Sequence, residues 1–269
     1  MTPGGGAGRD GSRLRVVSDL VYPPVIALAR TWFRLHGISI TVSGTEHIPR
    51  TGGAVLASNH VSYLDFIFAG YAAHEAGRLT RFMAKEAVFR HRVSGPLMRG
   101  MHHIPVDRAA GSASFRQALN ALKAGELVGI FPEATISRSF TVKELKSGAV
   151  RLAQASGTPL IPVAVWGGQR MFTTGRPRDL AARGRHIFVC VGEPIPAPRK
   201  ANGDELTSVL RERLQAQLDE LQQRTPEQPR PGEDAWWHPA HLGGTAPTPE
   251  QARAAKQAEA EDRQSPEAI

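Results

Sequence analysis

The chain has 269 residues, 41% hydrophobic and 22% charged, a balance that excludes a polytopic membrane protein and wholesale disorder and leaves room for one core of about 200 residues with tails. The formal charge is +8, but residues 224–269 hold five basic and eight acidic side chains, a net of −3; the remaining +11 favours an anionic partner such as nucleic acid, an acidic lipid surface or a phosphorylated substrate. Cys190 stands alone, which excludes an intrachain disulfide and a cysteine-based zinc site and fits a reducing cytoplasm.

Residues 1–12 are polar and glycine-rich, a flexible N-terminus without the order of a signal peptide. Between Asp19 and Arg30 the uncharged run is about 10 residues, roughly half of a spanning helix. Within 13–36, Pro24 opens a predicted helix that puts Val25, Leu28, Trp32 and Leu35 on one face and Arg30 and Arg34 away from it. Such an amphipathic segment either packs on the core or lies in a membrane interface, and Trp32, Phe33 and the arginines favour the interface.

From 37 to 223, strands and helices alternate. Strands are predicted at 38–43 and 54–57, a helix at 62–75, a strand at 80–84, a short helix at 95–101, and a strand near 103–106. Then follow a helix at 114–123, a strand at 127–131, a helix at 148–155, strands at 160–165 and 187–192, and a helix at 205–223. This alternation predicts an α/β domain, its largely parallel central sheet flanked by helices; the short, nearly all-apolar strands indicate a sheet covered on both faces. From 224 to 269, Pro, Glu, Gln and Ala dominate without apolar periodicity, which predicts a flexible tail whose Trp236 and Trp237 dock on the domain or touch lipid.

The stretch Ser58-Asn59-His60-Val61-Ser62-Tyr63-Leu64-Asp65 stands where an apolar strand gives way to a helix, the end of a strand at which α/β proteins carry chemistry. On one continuous helix His60 and Asp65 would point about 140° apart. With the helix opening near Ser62, His60 lies in the loop and its ring can fold back on the carboxylate, which would orient it while the far nitrogen takes a proton. No Gly-x-Ser-x-Gly elbow accompanies the pair, and Cys190 falls in a predicted strand, so a base acting directly on a substrate hydroxyl is the simpler arrangement. Alone, this spacing is more often that of a structural histidine.

Three further blocks follow: Ile104-Pro105-Val106-Asp107-Arg108, Phe131-Pro132-Glu133-Ala134-Thr135-Ile136-Ser137-Arg138, and Leu160-Ile161-Pro162-Val163-Ala164-Val165. In this order the four blocks resemble the glycerolipid acyltransferase family that includes the bacterial 1-acylglycerol-3-phosphate acyltransferases, over roughly residues 35–195. The variant third block and the excess of arginine over lysine resemble its actinobacterial type.

The resemblance implies that His60 and Asp65 are the catalytic pair, preceded by Asn59. Arg108 matches the arginine that contacts the acceptor phosphate, and Glu133 and Thr135 match the Glu-Gly-Thr turn beside it. Lys146 and Gly148 resemble a Phe-Lys-x-Gly segment, with Leu145 in place of Phe, and Pro162 matches the last motif. Two departures stand out. The expected Glu-Gly-Thr-Arg-Ser is Glu133-Ala134-Thr135-Ile136-Ser137, so the glycine has gained a methyl and one arginine is missing, for which Arg138 could supply a phosphate contact. Outside such a pattern Arg108 and Arg138 would read as surface ion-pair residues and Glu133 as a cap.

The expected reaction is transfer of a fatty-acyl group from acyl-CoA or acyl carrier protein to the hydroxyl of 1-acylglycerol 3-phosphate, without a bound metal or redox cofactor. Glycerol 3-phosphate, another lysophospholipid or a glycolipid are alternative acceptors; a non-enzymatic basic module that binds anionic membrane is the rival. Nucleic acid is disfavoured by the 6% aromatic content and the lack of a recognition module. The enzyme is expected to sit peripherally on the cytoplasmic face of the cell membrane. Gly6-Ala7-Gly8-Arg9-Asp10-Gly11 spells a dinucleotide-binding pattern but follows no strand, and His102 and His103, adjacent in a predicted strand, face apart.

Overall fold

The computed structural model describes residues 19–107 and 111–262. The apolar runs become β1 (Ser39–Ser43), β2 (Ala54–Ser58), β3 (Thr80–Lys85), β4 (Ile104–Val106), β5 (Leu127–Ile130), β6 (Leu160–Trp166) and β7 (His186–Val191). These seven strands form one sheet in the order β1-β7-β6-β2-β5-β3-β4, parallel at every pairing except β6 with β7. The helices are α1 (Tyr22–Leu35), α2 (Asp65–Glu75), α3 (Glu86–Arg90), α4 (Ser94–Gly100), α5 (Gly111–Lys123), α6 (Gly148–Ser156), α7 (Gly203–Arg224) and α8 (Pro249–Asp262).

Alternate residues of β2 face opposite layers. Val55 and Ala57 join Leu122 of α5, Leu152 of α6 and Leu210, Leu214 and Leu218 of α7. Ala54 and Leu56 join Phe33 of α1 and Phe68 and Ala72 of α2. Every residue of β2 and β6 is buried, as befits strands covered on both sides. Asn202 caps α7 by accepting the Asp204 amide at 2.9 Å, and each fully buried leucine of its stripe contributes about 1.5–3 kcal/mol.

Four expectations change. The helix predicted at 62–75 starts at Asp65, because that carboxylate draws the amides before it into a turn. The short helix at 95–101 is α4, and a helix that was not predicted, α3, precedes it. His102 lies outside β4 at φ 56°, while the buried His103 ring accepts the Phe82 amide at 3.0 Å; burial pushes it down to about 4. One segment of the predicted tail is packed: Ala235, Trp237, His238 and Ala246 are buried, Trp237 lies under Arg170 at 4.3 Å and His238 meets Trp166 edge-on at 6.1 Å. Two indoles outweigh a composition that otherwise favours disorder.

Expectations for residues 1–12 lie outside the described residues, as does the start of the 13–36 segment. The described part forms α1, anchored where the buried Arg81 pairs with Asp19 at 2.9 Å and Glu126 at 3.3 Å. Its predicted apolar face divides. Phe33 stacks on Phe68 at 5.8 Å and Trp32 packs half-covered beside it, whereas Leu28 and Leu35 are 71% and 70% exposed. No helix among the described residues is long and apolar enough to cross a membrane.

Candidate active site

At the carboxyl end of β2 the chain leaves the sheet through Asn59 and turns at His60. Asp65, the first residue of α2, is fully buried, and its Oδ2 accepts the Val61 and Ser62 amides at 2.7 Å each and faces His60 Nδ1 at 3.1 Å. Burial pushes the Asp65 carboxyl up; the His60 ring and the two amides pull it down. The His60 ring keeps 19% of its side chain exposed and stacks on Phe131 at 4.4 Å. Phe131 in turn stacks on Phe82 at 6.1 Å, and Phe82 fits because position 129 is glycine: a Cβ there would stand 2.4 Å from its ring. The Ser62 hydroxyl donates to the Gly168 and Phe172 carbonyls at 3.0 and 2.8 Å, pinning this loop to the one after β6.

The second half of the site is the loop of residues 131–147 that follows β5. Glu133 is buried and bridges two backbones, with Oε1 accepting the His60 amide at 2.8 Å and Oε2 the Lys143 amide at 3.1 Å. Burial pushes its carboxyl up to about 7, against the pull of Lys143 and His60. The Ser137 amide donates back to the His60 carbonyl at 2.7 Å, so the first and third motif blocks are tied at two points.

Ala134 sits at φ 61°, the left-handed region. The glycine of the family pattern therefore has a backbone reason, since a side chain there costs about 1 kcal/mol. Ala134→Gly is expected to raise stability by about 0.5–1 kcal/mol, read as a higher midpoint in chemical denaturation.

The remaining expected residues divide. Asn59 is fully buried, its amide group bonded both ways to Val165 of β6 at 2.7 and 3.0 Å. It braces the first block against the fourth, fully buried with both ends of its amide engaged. Pro162 lies in β6 opposite Ala57, buried. Glu133 likewise spends both oxygens on backbone, and Thr135 Oγ1 accepts Lys143 Nζ at 2.7 Å. Arg138 is held in a two-pronged pair by Glu259 of α8, at 2.6 and 3.0 Å. The Lys146 side chain is exposed while its amide bonds the Pro132 carbonyl at 2.9 Å. Arg108 lies outside the described residues. Sequence reasoning missed Lys143, whose ammonium fastens the turn; no spacing rule marks a lysine in a loop.

The Acyltransferase family profile matches residues 39–166, which contain His60, Asp65 and Glu133. The chain is 32% identical over 197 residues to the 1-acyl-sn-glycerol-3-phosphate acyltransferase of Bacillus subtilis, covering 70% of this chain and 87% of that one. It is 25% identical over 195 residues to the protein of the same name from Borreliella burgdorferi, covering 70% and 74%. Its fold is similar to the crystal structure of a 1-acyl-sn-glycerophosphate acyltransferase from Thermotoga maritima, with a TM-score of 0.67 at 22% identity, covering 82% and 86% of the two chains. The chain belongs to the acyltransferase family that contains the bacterial 1-acyl-sn-glycerol-3-phosphate acyltransferases, and it is an O-acyltransferase.

Proposed function

We propose that the enzyme transfers a fatty-acyl group from an acyl thioester, acyl-CoA or acyl carrier protein, to the free hydroxyl of 1-acylglycerol 3-phosphate, forming phosphatidic acid and a free thiol. The observation that carries this reading is the His60–Asp65 pair at 3.1 Å, with no serine or cysteine hydrogen-bonded to the ring among the described residues. His60 Nε2 takes the proton of the acceptor hydroxyl as that oxygen attacks the thioester carbonyl, and Asp65 stabilises the imidazolium. Collapse of the tetrahedral intermediate expels the thiolate, which recovers the proton from His60. The oxyanion needs donors, and the Thr135 and Ile136 amides make no hydrogen bond among the described residues. Arg108 is the proposed phosphate contact; Arg138 can join it only by parting from Glu259.

The names of the two bacterial relatives support this acceptor. Incubation of the purified protein with acyl-CoA and 1-acylglycerol 3-phosphate is expected to give a product heavier by one acyl group. Acylation of glycerol 3-phosphate or a glycolipid in its place would replace the acceptor.

A membrane-borne acceptor calls for attachment at the lipid surface, proposed here as peripheral and on the cytoplasmic face. The exposed Leu28 and Leu35 of α1, with Arg30 and Arg34, suit an anionic interface, each basic residue adding on the order of 1 kcal/mol. Leu28→Asp with Leu35→Asp is expected to abolish co-sedimentation with anionic vesicles without changing the melting temperature. Wild-type binding by that double variant would move the contact elsewhere.

A further inference from the structure

The ammonium of Lys143 has three N–H bonds and three acceptors. It donates to the Thr135 carbonyl at 2.5 Å, to Thr135 Oγ1 at 2.7 Å and to the Ile136 carbonyl at 3.3 Å. Its own backbone amide is held by Glu133, the carboxylate that also holds the His60 amide. Each carbonyl it touches is one end of a peptide group. The Thr135 carbonyl shares its group with the Ile136 N–H, and the Ile136 carbonyl shares its group with the Ser137 N–H, which donates to the His60 carbonyl at 2.7 Å. A cation on a carbonyl draws density through the amide and strengthens the donor at its far end. The Ile136 N–H makes no hydrogen bond among the described residues.

We infer that Lys143 is a positioning residue for acyl transfer: its ammonium fixes and polarises the 135–137 backbone, so that the Ser137 amide clamps the base loop and the Ile136 amide is left as a strengthened donor for the oxyanion. The family pattern carries an arginine at position 136, where this chain has the buried Ile136, so the charge enters this turn from ten residues after Glu133. Burial lowers the pKa of Lys143, and the Glu133 carboxylate opposes that shift while Lys256 of α8 adds to it. Arg211 of α7 also faces this segment, donating to the Lys143 carbonyl at 3.2 Å. The inference rests on the proposed reaction, and one of its readouts does not.

The test uses the full chain with Lys143→Met and Lys143→Arg. In Lys143→Met, kcat is expected to fall about 10- to 100-fold, with KM for acyl-CoA and for 1-acylglycerol 3-phosphate within twofold, since the lost contribution belongs to the transition state. Wild-type kcat is expected to decline on the alkaline side as Lys143 gives up its proton. Lys143→Arg keeps its charge at every pH, so that decline should move to higher pH. Independently of turnover, the Ile136 amide resonance should shift upfield in Lys143→Met, away from its position in a strongly polarised group. An unmoved Ile136 resonance overturns the inference even if the wild type proves inactive on this acceptor. So does a Lys143→Met kcat within threefold of wild type, or an alkaline limb that stays in place in Lys143→Arg. A wild type that makes no product counts against the proposed reaction and leaves the resonance to decide the role of Lys143.

Discussion

Asp65→Asn is expected to fold like the wild type and to lose about 100-fold or more in kcat. The two oxygens of Asp65 differ sharply: Oδ2 receives His60 Nδ1 and the Val61 and Ser62 amides, whereas Oδ1 is buried with no hydrogen-bond partner among the described residues. An asparagine can place its carbonyl where Oδ2 stands and its amide nitrogen where Oδ1 stands, so the turn and the ring orientation survive. What disappears is the negative charge that, in the proposed mechanism, stabilises the imidazolium, the part of the pair needed only once the proton has moved. His60→Ala removes the proposed base and should cost about 10²–10⁴ in turnover. Its melting temperature should change little, because the ring sits in a loop and is partly exposed. Turnover within tenfold of wild type in both variants would remove this mechanism.

Glu133→Gln is the second large effect, and its pH dependence separates stability from turnover. The amide nitrogen of glutamine would face one of the two backbone N–H groups that Glu133 now accepts, leaving that donor unpaired at about 1–3 kcal/mol. Loosening the His60 amide should displace the base and lower kcat about 100-fold, the scale set by a misplacement of about 1 Å. The carboxyl is raised on folding from 4.5 to about 7, so between those values the folded chain holds a proton that the unfolded chain lacks. The stability from this group is therefore complete below about 4.5 and is lost as the pH rises through about 7. Over the same interval the ionised carboxylate, the better acceptor for both amides, becomes populated. Wild-type stability is thus expected to fall across the interval where the site becomes ordered, and that slope should flatten in Glu133→Gln. Melts and turnover at pH 5 and pH 8 check both signs; an unflattened slope would show that Glu133 does not titrate there.

The layers and the largely parallel sheet follow from features carried locally. All-apolar strands such as 160–165 and the alternation of strand and helix require a covered, mostly parallel sheet, and the Asn59–Asp65 spacing places a loop histidine beside a carboxylate once the helix starts late enough. What escaped is held over long distances. The tail beyond Arg224 shows no periodicity because only scattered residues such as Ala235, Trp237 and His238 dock. The partner of Arg138 is Glu259, 121 positions away, and no local pattern pairs them. Asn59 and Glu133 were recognised by resemblance, which marks a position without saying whether its side chain meets substrate or backbone. Both meet backbone: Glu133 joins two loops that have no regular structure of their own to satisfy those amides, and Asn59 takes up the amide and carbonyl of Val165 near the end of β6.

The aromatic pile that runs from Phe82 through Phe131 to the His60 ring ends at a residue with no side chain. Gly129 carries no charge, yet an added methyl would stand 2.4 Å from the Phe82 ring, which stacks on the Phe131 ring that in turn stacks on His60. Random mutagenesis scored for growth on transferred lipid should therefore return lesions in the middle of β5 that look, by chemistry alone, conservative. Any redesign of acceptor choice that varies only the polar loops will inherit this apolar constraint, and libraries that pair position 129 with position 82 are the ones able to shift the imidazole without unfolding the sheet.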